Sequence, residues 1–270
     1  MVVVKEINSQ SRLSWSAVKE VWQHRQLIYF LSLRDFKVRY KQSLVGIGWA
    51  FFQPAVAVLL VSLALKNKGL VEGVPYPLFI AIGFVFWFFF SNSLGKISNS
   101  LVVNAGIITK IYFPRIIIPI SGVFVQLVDF AIGTILVFGM FFFYDIPITL
   151  LGVGVYVLMI ISAYIAVMGL GFITSMLNAR FRDVQFILPF IIQILLFATP
   201  VFYYTSNMSG GWWSWLNPMV PILEVVRHGF FSADLLTGGM ILAAFLPGIV
   251  YFIVGYIIFA KMDTTIIDVI

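Results

Sequence analysis

Long apolar runs separated by short polar stretches dominate the pattern of this chain. The runs approach or exceed the roughly 20 residues that an α-helix needs to cross a bilayer. They predict an all-α integral membrane protein with six transmembrane helices. The predicted spans lie at about 44–65, 76–100, 116–144, 150–177, 184–205 and 238–260.

The first 42 residues follow a different pattern. Residues 1–33 carry scattered charges and no continuous apolar core, which excludes a cleavable signal peptide. Between Trp15 and Leu31, apolar residues recur at helical spacing with polar residues between them. This predicts an amphipathic helix in the membrane interface, although a cytosolic helix packed on a partner would give the same pattern. We therefore predict a cytosolic segment over 1–42 and a transmembrane domain over 43–270.

The stretch between the fifth and sixth predicted spans fits neither a plain loop nor a span. It is rich in Gly and Trp up to Trp215, and the sequence Asn217-Pro218-Met219-Val220-Pro221 interrupts any helix. Irregular backbone at membrane depth is tolerated where protein buries it or where it lines a wet cavity. The pattern predicts a re-entrant hairpin of two short helices at about 212–232 on the external side. A loop packed at the headgroups is the alternative.

Positive charge predicts the orientation of the chain. Four basic residues lie between Arg34 and Lys41, directly before the first span, and such residues resist translocation. Fourteen of the 17 Lys and Arg residues fall on that same side of the predicted topology. Both termini are therefore predicted to be cytosolic. The net charge of +6 follows from this topology and does not indicate a nucleic-acid partner.

Composition agrees with the membrane assignment. The chain is 61% hydrophobic and 10% charged, with a mean hydropathy of +1.03, whereas soluble domains carry roughly 25% charged residues. There is no cysteine, so the chain has neither a disulfide nor a thiolate metal site. No Gly-x-x-x-x-Gly-Lys-Ser/Thr phosphate loop occurs, so this chain is not predicted to hydrolyse ATP.

Asp129 is the one acid deep inside an apolar run. An ionisable residue within a span indicates a functional site by default. A carboxylate that faces the bundle interior, satisfied by Gln126 or by a neighbouring span, explains it equally well.

Three polar clusters mark the connections between spans. The first is residues 104–115 between spans two and three, where Asn104 is predicted to open a short amphipathic helix and Pro114 to end it. The second is the charged turn over 178–184. The third surrounds Asn217, where Glu224 and Arg227 are spaced to pair on one helix face. Taken singly, each cluster is also explained by the capping of loops and by the positive charge that is typical of cytosolic connections.

Taken in order, six motifs resemble those of the ABC-2 polysaccharide-export permeases, a family that exports lipid-linked O antigens, capsular polysaccharides and wall teichoic acids. The resemblance runs from about residue 28 to the end of the chain. The motifs are Arg-Asp-Phe-Lys-Val-Arg-Tyr over 34–40, Gly-Ile-Gly-Trp over 46–49, Trp-Phe-Phe-Phe over 87–90 with Asn-Ser-Leu over 99–101, Lys-Ile-Tyr-Phe-Pro-Arg over 110–115, residues 178–183 and residues 217–227.

The resemblance implies a complex of two permeases and two copies of a separate ATPase, which would bind ATP and Mg²⁺; no cofactor is expected in this chain. The substrate would be a polyprenyl-diphosphate-linked glycan. The implied ATPase-coupling residues are Asn104, Lys110, Tyr112, Phe113, Pro114 and Arg115. The implied external gate residues are Asn217, Pro218, Pro221, Glu224 and Arg227.

Two further sets are candidates for contact with the cargo. Aromatic rings stack on the apolar faces of sugars and let repeated units slide, although membrane proteins also use them in interfacial belts. The candidate path residues are Trp49, Phe51, Phe52, Trp87, Phe88 and Phe90. Arg binds phosphate in a bidentate way. The candidate entrance residues are Arg34, Arg39, Arg180, Arg182 and Asp183. The positive charges among them are explained equally well as signals that set the membrane topology.

Two other functions fit the same pattern less completely. An ABC-2 exporter of drugs or lipids shares the six-span layout but usually lacks the Tyr-Phe-Pro-Arg and Asn-Pro motifs as a set. An integral-membrane glycosyl- or acyltransferase needs acid or histidine chemistry at a membrane surface. The residues available for that chemistry, Asp129, Glu224 and His228, are scattered over separate segments.

Overall fold

The computed structural model describes residues 15–41, 43–65, 73–204, 216–232 and 236–263. Within these ranges every regular element is helical. The helices are α1 (Trp15–Gln23), α2 (Arg25–Tyr40), α3 (Trp49–Ala64, preceded by a 3₁₀ turn over Gly46–Gly48), α4 (Tyr76–Val103), α5 (Ala105–Ile108), α6 (Ile117–Phe143), α7 (Leu150–Arg180), α8 (Val184–Ala198), α9 (Met219–Phe231) and α10 (Gly238–Met262).

Five helical segments in the described part of the chain are long and apolar enough to cross a membrane. They are Gly46–Ala64, Tyr76–Val103, Ile117–Phe143, Leu150–Arg180 and Gly238–Met262. The prediction of an all-α, multi-pass membrane protein is confirmed.

The fifth predicted span, 184–205, is shorter than expected. Helix α8 has 15 residues and ends at Ala198, although the span was predicted to reach 205. Thr199, the residue before Pro200, adopts an extended conformation, because the proline ring disfavours helical backbone in the residue that precedes it. The chain therefore leaves the helix and turns inward over residues 199–204.

Helix α4 is the centre of the bundle. In its most apolar stretch 78% of the residues are buried, against 17% in the segment that contains α3. Its Phe86 ring contacts Phe130 of α6 and Tyr156 of α7 in edge-to-face geometry, at centroid distances of 5.0 and 5.1 Å. The Tyr156 hydroxyl lies 3.0 Å from that of Thr134, which satisfies the polar group inside the apolar core.

Helices α3 and α8 lie at the edge of the bundle. Of the 15 residues of α8, only Leu188 is buried, and the Phe186 and Phe190 rings are 73% and 64% exposed. Helix α3 likewise exposes Phe52, Leu60 and other apolar side chains. In the single chain these two helices therefore present large apolar surfaces.

Helices α7 and α10 approach each other more closely than side chains would permit. A Cβ atom added to Gly255 would lie 2.1 Å from the carbonyl oxygen of Gly169. The same pair of helices is joined where the Ser162 hydroxyl donates to the Ala244 carbonyl at 2.8 Å. Small residues that allow backbones to touch are a common basis of helix association in membranes.

We expect Gly255→Ala to separate α7 from α10, because the added methyl group meets backbone that cannot rotate away. The expected cost is about 1–3 kcal/mol, the usual range for overpacking. The measurement is the midpoint of thermal unfolding in detergent, followed by size-exclusion chromatography. Gly154→Ala on α7 is the matched control, since its Cβ would meet open space; equal midpoints for the two variants would contradict the close contact.

Candidate functional site

Helix α2 lies along α6 at one end of the bundle. The Ser32 hydroxyl donates to the Ser121 carbonyl at 3.2 Å, and the Tyr40 hydroxyl donates to the Asp129 carboxylate. Because both contacts advance by eight positions, the two helices run side by side in the same direction. Leu31, the residue before Ser32, is buried, so α2 is attached through both polar and apolar groups.

The acid inside the span is paired with residues of α2. Arg39 Nη2 lies 2.7 Å from Asp129 Oδ2, and Tyr40 donates to the other carboxylate oxygen. Gln126, the partner proposed from the sequence, instead accepts from Arg39 Nη1 at 3.0 Å. Asp129 is therefore satisfied by the last residues of α2. The spacing of Gln126 and Asp129 on one helix face is the sequence signal for such a polar site.

A second charge cluster holds the middle of α2 against α4. Asp35 accepts from Arg34 Nη2 at 2.8 Å and pairs with Lys96 Nζ at 2.9 Å. Burial alone would raise the pKa of the Asp35 carboxyl, but its hydrogen bonds to Lys96 and Arg34 outweigh burial and lower that pKa below 3.8. Lys96 was not among the predicted site residues, although a lone cation near the end of an apolar span indicates an ion-pair partner.

Both predicted phosphate-binding arginines of α2 are thus occupied by carboxylates. Arg34 pairs with Asp35 and also donates to Asn104 Oδ1 at 2.8 Å. Arg39 pairs with Asp129. By contrast, Arg180, the last residue of α7, and Arg182, two residues later, are exposed.

A cavity of about 500 Å³ opens where α2 turns into α3; we call it the elbow cavity. Gly46, with a φ of +54°, makes the turn in a conformation that favours glycine. The Trp49 and Phe52 side chains line the cavity, and these residues are 57% and 51% exposed. The lining residues are Arg39, Tyr40, Gly46, Trp49, Phe52, Gln53 and Val56.

The predicted path aromatics separate into two groups. Trp49, Phe51 and Phe52 of α3 are exposed, whereas Trp87 and Phe90 of α4 are 3% and 0% exposed. Trp87 and Phe90 are buried because α4 is the central helix, so these two rings are not at the surface of the single chain.

Phe88, the remaining predicted path residue, is half-buried. Its ring stacks on Phe84 at a centroid distance of 5.6 Å. It also lines a narrow cleft that includes Gln53 and Asp129.

The connection between α4 and α6 is less helical than predicted. Helix α5 ends at Ile108, six residues before Pro114, and turns follow. The Asn104 side chain does not cap the helix, since it accepts from Arg34 and donates to the Ser100 carbonyl. Without a cap, and with three successive β-branched residues from Ile107, the segment has little intrinsic support for a longer helix.

This connection has buried anchors and an exposed tip. Phe113 is buried, whereas Ile111 and Tyr112 are 62% and 68% exposed. Arg115 lies 3.2 Å from Asp263 Oδ1 and also donates to the Asp263 carbonyl, which attaches the connection to the end of α10. Lys110 is exposed beside the tip, and Pro114 is partly buried between the two anchors.

The charged turn after α7 is attached to α4 through Asn178. The Asn178 amide donates to the Ser98 carbonyl at 3.1 Å and to Asn99 Oδ1 at 2.9 Å. Asp183 and the two arginines of the turn are exposed. Because the contact lies two residues from Lys96 on α4, this turn is at the same end of the bundle as α2.

Arg227 on α9 supports the irregular backbone after α8. It is buried, and its guanidinium donates to the carbonyls of Pro200, Val201 and Phe79, the last two at 3.0 and 3.2 Å. The guanidinium carbon also lies 3.5 Å from the centroid of the Phe79 ring. Carbonyls released where α8 ends need donors in an apolar setting, and Arg227 supplies them.

The predicted pairing of Glu224 with Arg227 is wrong for the part of the chain described. No ion pair joins the two side chains, because the guanidinium points toward the carbonyls at 200–201. The predicted hairpin is represented by α9. Its predicted first arm, up to Trp215, lies outside the described residues.

The start of α9 is fixed by Asn217, which is buried. Its Oδ1 accepts from the backbone N–H of Met219 at 3.1 Å, and its Nδ2 donates to the Thr199 hydroxyl at 2.7 Å. Pro218 and Pro221 fall before and within the first turn, where a missing N–H carries no penalty. Asn217 therefore joins the start of α9 to the end of α8.

We expect Arg227→Met to destabilise the protein by about 1–3 kcal/mol, because several buried carbonyls lose their donor. The measurement is the thermal unfolding midpoint in detergent. Arg182→Met, which removes an exposed arginine, is the matched control and should leave the midpoint unchanged. A drop of the same size in both variants would mean that loss of charge, rather than loss of the carbonyl contacts, is responsible.

Comparison with known proteins gives one family match and several relatives. A family model described as "ABC-2 type transporter" matches residues 26–231. An O-antigen export system permease protein RfbA from Klebsiella pneumoniae is 30% identical over 241 residues, covering 87% of this chain and 92% of the relative. The RfbA of Myxococcus xanthus is 29% identical over 222 residues, covering 80% and 84%. A polysialic acid transport protein KpsM from Escherichia coli is 24% identical over 211 residues, covering 73% and 78%.

Proposed function

The chain belongs to the ABC-2 type transporter family, and from this membership we propose that it is the permease subunit of an ATP-driven polysaccharide exporter. The observation that carries the proposal is its likeness to O-antigen export permeases, which extends over 87% of this chain and 92% of the relative. The likeness to a polysialic acid transport protein supports the same class of cargo.

The proposed cargo is a polyprenyl-diphosphate-linked polysaccharide such as an O antigen, a capsule or a teichoic acid. Its diphosphate needs cations that no carboxylate has already neutralised. Arg180 and Arg182 meet this requirement better than Arg34 and Arg39, since they are exposed and the α2 arginines are paired. The exposed Lys37 on α2 adds a cation at the same end of the bundle.

The multi-pass chain is proposed to lie in the cytoplasmic membrane with both termini in the cytosol. The basic residues concentrate at the end of the bundle that holds α2, the Tyr112 tip and the Arg180 turn, which supports a cytosolic position for this end. The α8–α9 junction, with its predicted gate residues, then lies on the external side.

A separate ATPase would supply the energy. The sequence contains no phosphate loop, so ATP and Mg²⁺ would be bound by the partner, in two copies beside two permeases. The exposed Ile111 and Tyr112 side chains form a tip that suits a groove on this partner. The buried Phe113 and the Arg115–Asp263 pair hold the tip to the bundle.

Two copies of the permease would enclose the channel between them. The apolar faces of α3 and α8 support this arrangement, since these helices have few neighbours within one protomer. Large exposed apolar surfaces mark sites of contact with another protein or with the membrane. The exposed aromatics Trp49, Phe51 and Phe52 would then face the region between the two copies.

We expect the double variant Ile111→Ala with Tyr112→Ala to lose most of its ATPase, because the tip loses its apolar contact area while its anchors remain. Copurification of the ATPase with tagged permease measures the effect. Arg115 is left intact because its contact with Asp263 belongs to the fold. The control is Phe142→Ala with Phe143→Ala, two exposed aromatics at the opposite end of α6. Undiminished ATPase with the tip variant would exclude this docking site.

The function is tested by affinity purification of tagged permease from its native membrane, with mass spectrometry of protein and lipid. The expected result is a near-equimolar ATPase together with a polyprenyl-linked sugar. An ATPase with bound phospholipid or drug and no glycan would favour the other type of exporter. Absence of any ATPase would contradict the proposal as a whole.

A further inference from the structure

We propose that the elbow cavity binds an uncharged sugar ring of the cargo and excludes its diphosphate. The inference rests on the proposed function and adds a recognition site to it. Three properties of the cavity carry the inference: its size and lining, its charge, and its position beside exposed cations.

The size and lining suit a small polar ligand with apolar faces. Cavities that bind small molecules span roughly 300–1,000 Å³ and combine aromatic walls with a few polar groups, and this cavity measures about 500 Å³. Trp49 and Phe52 offer exposed ring surfaces on which the C–H face of a pyranose can stack. The Gln53 side-chain amide has two N–H donors and one carbonyl acceptor, which can form hydrogen bonds with the ring hydroxyls.

The charge of the cavity favours a neutral ligand. Arg39 is the one charged residue among those that line it, and the Asp129 carboxylate at 2.7 Å compensates its charge. A diphosphate placed here would have to compete with Asp129 for the same guanidinium. A sugar hydroxyl needs only a donor, and Arg39 has five N–H groups, of which Asp129 and Gln126 do not use all.

Asp129 is thus a positioning residue for this site. It holds the Arg39 guanidinium from one side and accepts from the Tyr40 hydroxyl, so two lining side chains are fixed by one carboxylate. Gln126 completes the support by accepting from Arg39 at 3.0 Å. A preorganised polar wall lowers the cost of binding.

The position of the cavity matches the chemistry of the cargo. In a lipid-linked glycan the diphosphate joins the prenyl chain to the first sugar, so a cationic site and a neutral sugar site must be neighbours. Lys37 in the last turn of α2 and Lys41 directly after the helix are exposed, each two residues from Arg39. The exposed apolar face of α3, with Leu59 and Leu60, begins on the other side of the cavity.

The test is photocrosslinking in cells that export the polysaccharide and carry the permease together with its ATPase. The photoreactive amino acid p-benzoylphenylalanine replaces Phe52 at the cavity or, as a control, Leu246, which is exposed on α10. After irradiation, purified permease is probed for a covalently attached glycan that periodate removes. Export is measured in the same cells, with and without the chain.

The expected result is a glycan adduct at position 52 and none at position 246. Adducts at both positions, adducts only with a second copy of the permease, or no adduct in cells whose export requires the chain would overturn the sugar site. Export that continues in cells without the chain would overturn the proposed function as well, so the two failures are distinguishable.

The role of charge is tested by two further variants, each carrying the photoreactive group at position 52. Asp129→Asn leaves Arg39 uncompensated and should lower the adduct yield roughly tenfold, the effect of one lost contact to a charged group. Combining it with Arg39→Gln removes the uncompensated charge while the Gln amide still offers N–H donors to the sugar, so part of the yield should return. Equal yields from wild type and Asp129→Asn, or no recovery in the double variant, would contradict the charge argument.

Gln53→Ala provides a test that does not disturb the buried pair, because Gln53 is exposed. It should lower the adduct yield while the amount of permease in the membrane stays constant. An unchanged yield would remove Gln53 from the site and overturn the lining argument.

Discussion

The ion pair between Arg39 and Asp129 determines where α2 lies, and the end of the bundle around α2 depends on it. An acid inside a span requires a partner, since an isolated charge in a low-dielectric setting is costly. The partner comes from the segment before the first span. This pairing brings α2 alongside α6, places the turn at Gly46 and opens the elbow cavity between α2 and α3.

The sequence was sufficient for the helical class, the main spans and the family, because long apolar runs and ordered motifs are properties of the chain itself. The roles of individual charges were not predictable, because they depend on which helices meet. Arg34 and Arg39 satisfied the chemistry of phosphate binding, yet each has a carboxylate partner. Trp87 and Phe90 suited a sugar path by residue type, but they lie on the central helix and are buried.

The end of α8 was likewise not predicted from the hydrophobic pattern alone. The apolar run that begins at Val184 continues past Ala198, but Pro200 ends the helix early. The buried carbonyls released there accept from Arg227, which lies 26 residues further along the chain than Val201. Its spacing from Glu224 predicted a local ion pair, whereas the guanidinium donates to the released backbone carbonyls. At this site the requirement of the released carbonyls for donors, which is a long-range effect, outweighs the local spacing of the charges.

The connection between α4 and α6 is fastened at both ends to distant parts of the chain. Asn104 contacts Arg34 near the beginning of the described chain, and Arg115 contacts Asp263 at its end. A displacement of the Tyr112 tip would therefore pull on α2 and α10 together. The segment therefore links α2 to α10 and cannot move independently of them. A partner that pushes on the tip would displace α2 and α10 together. Each such displacement would change the shape of the elbow cavity.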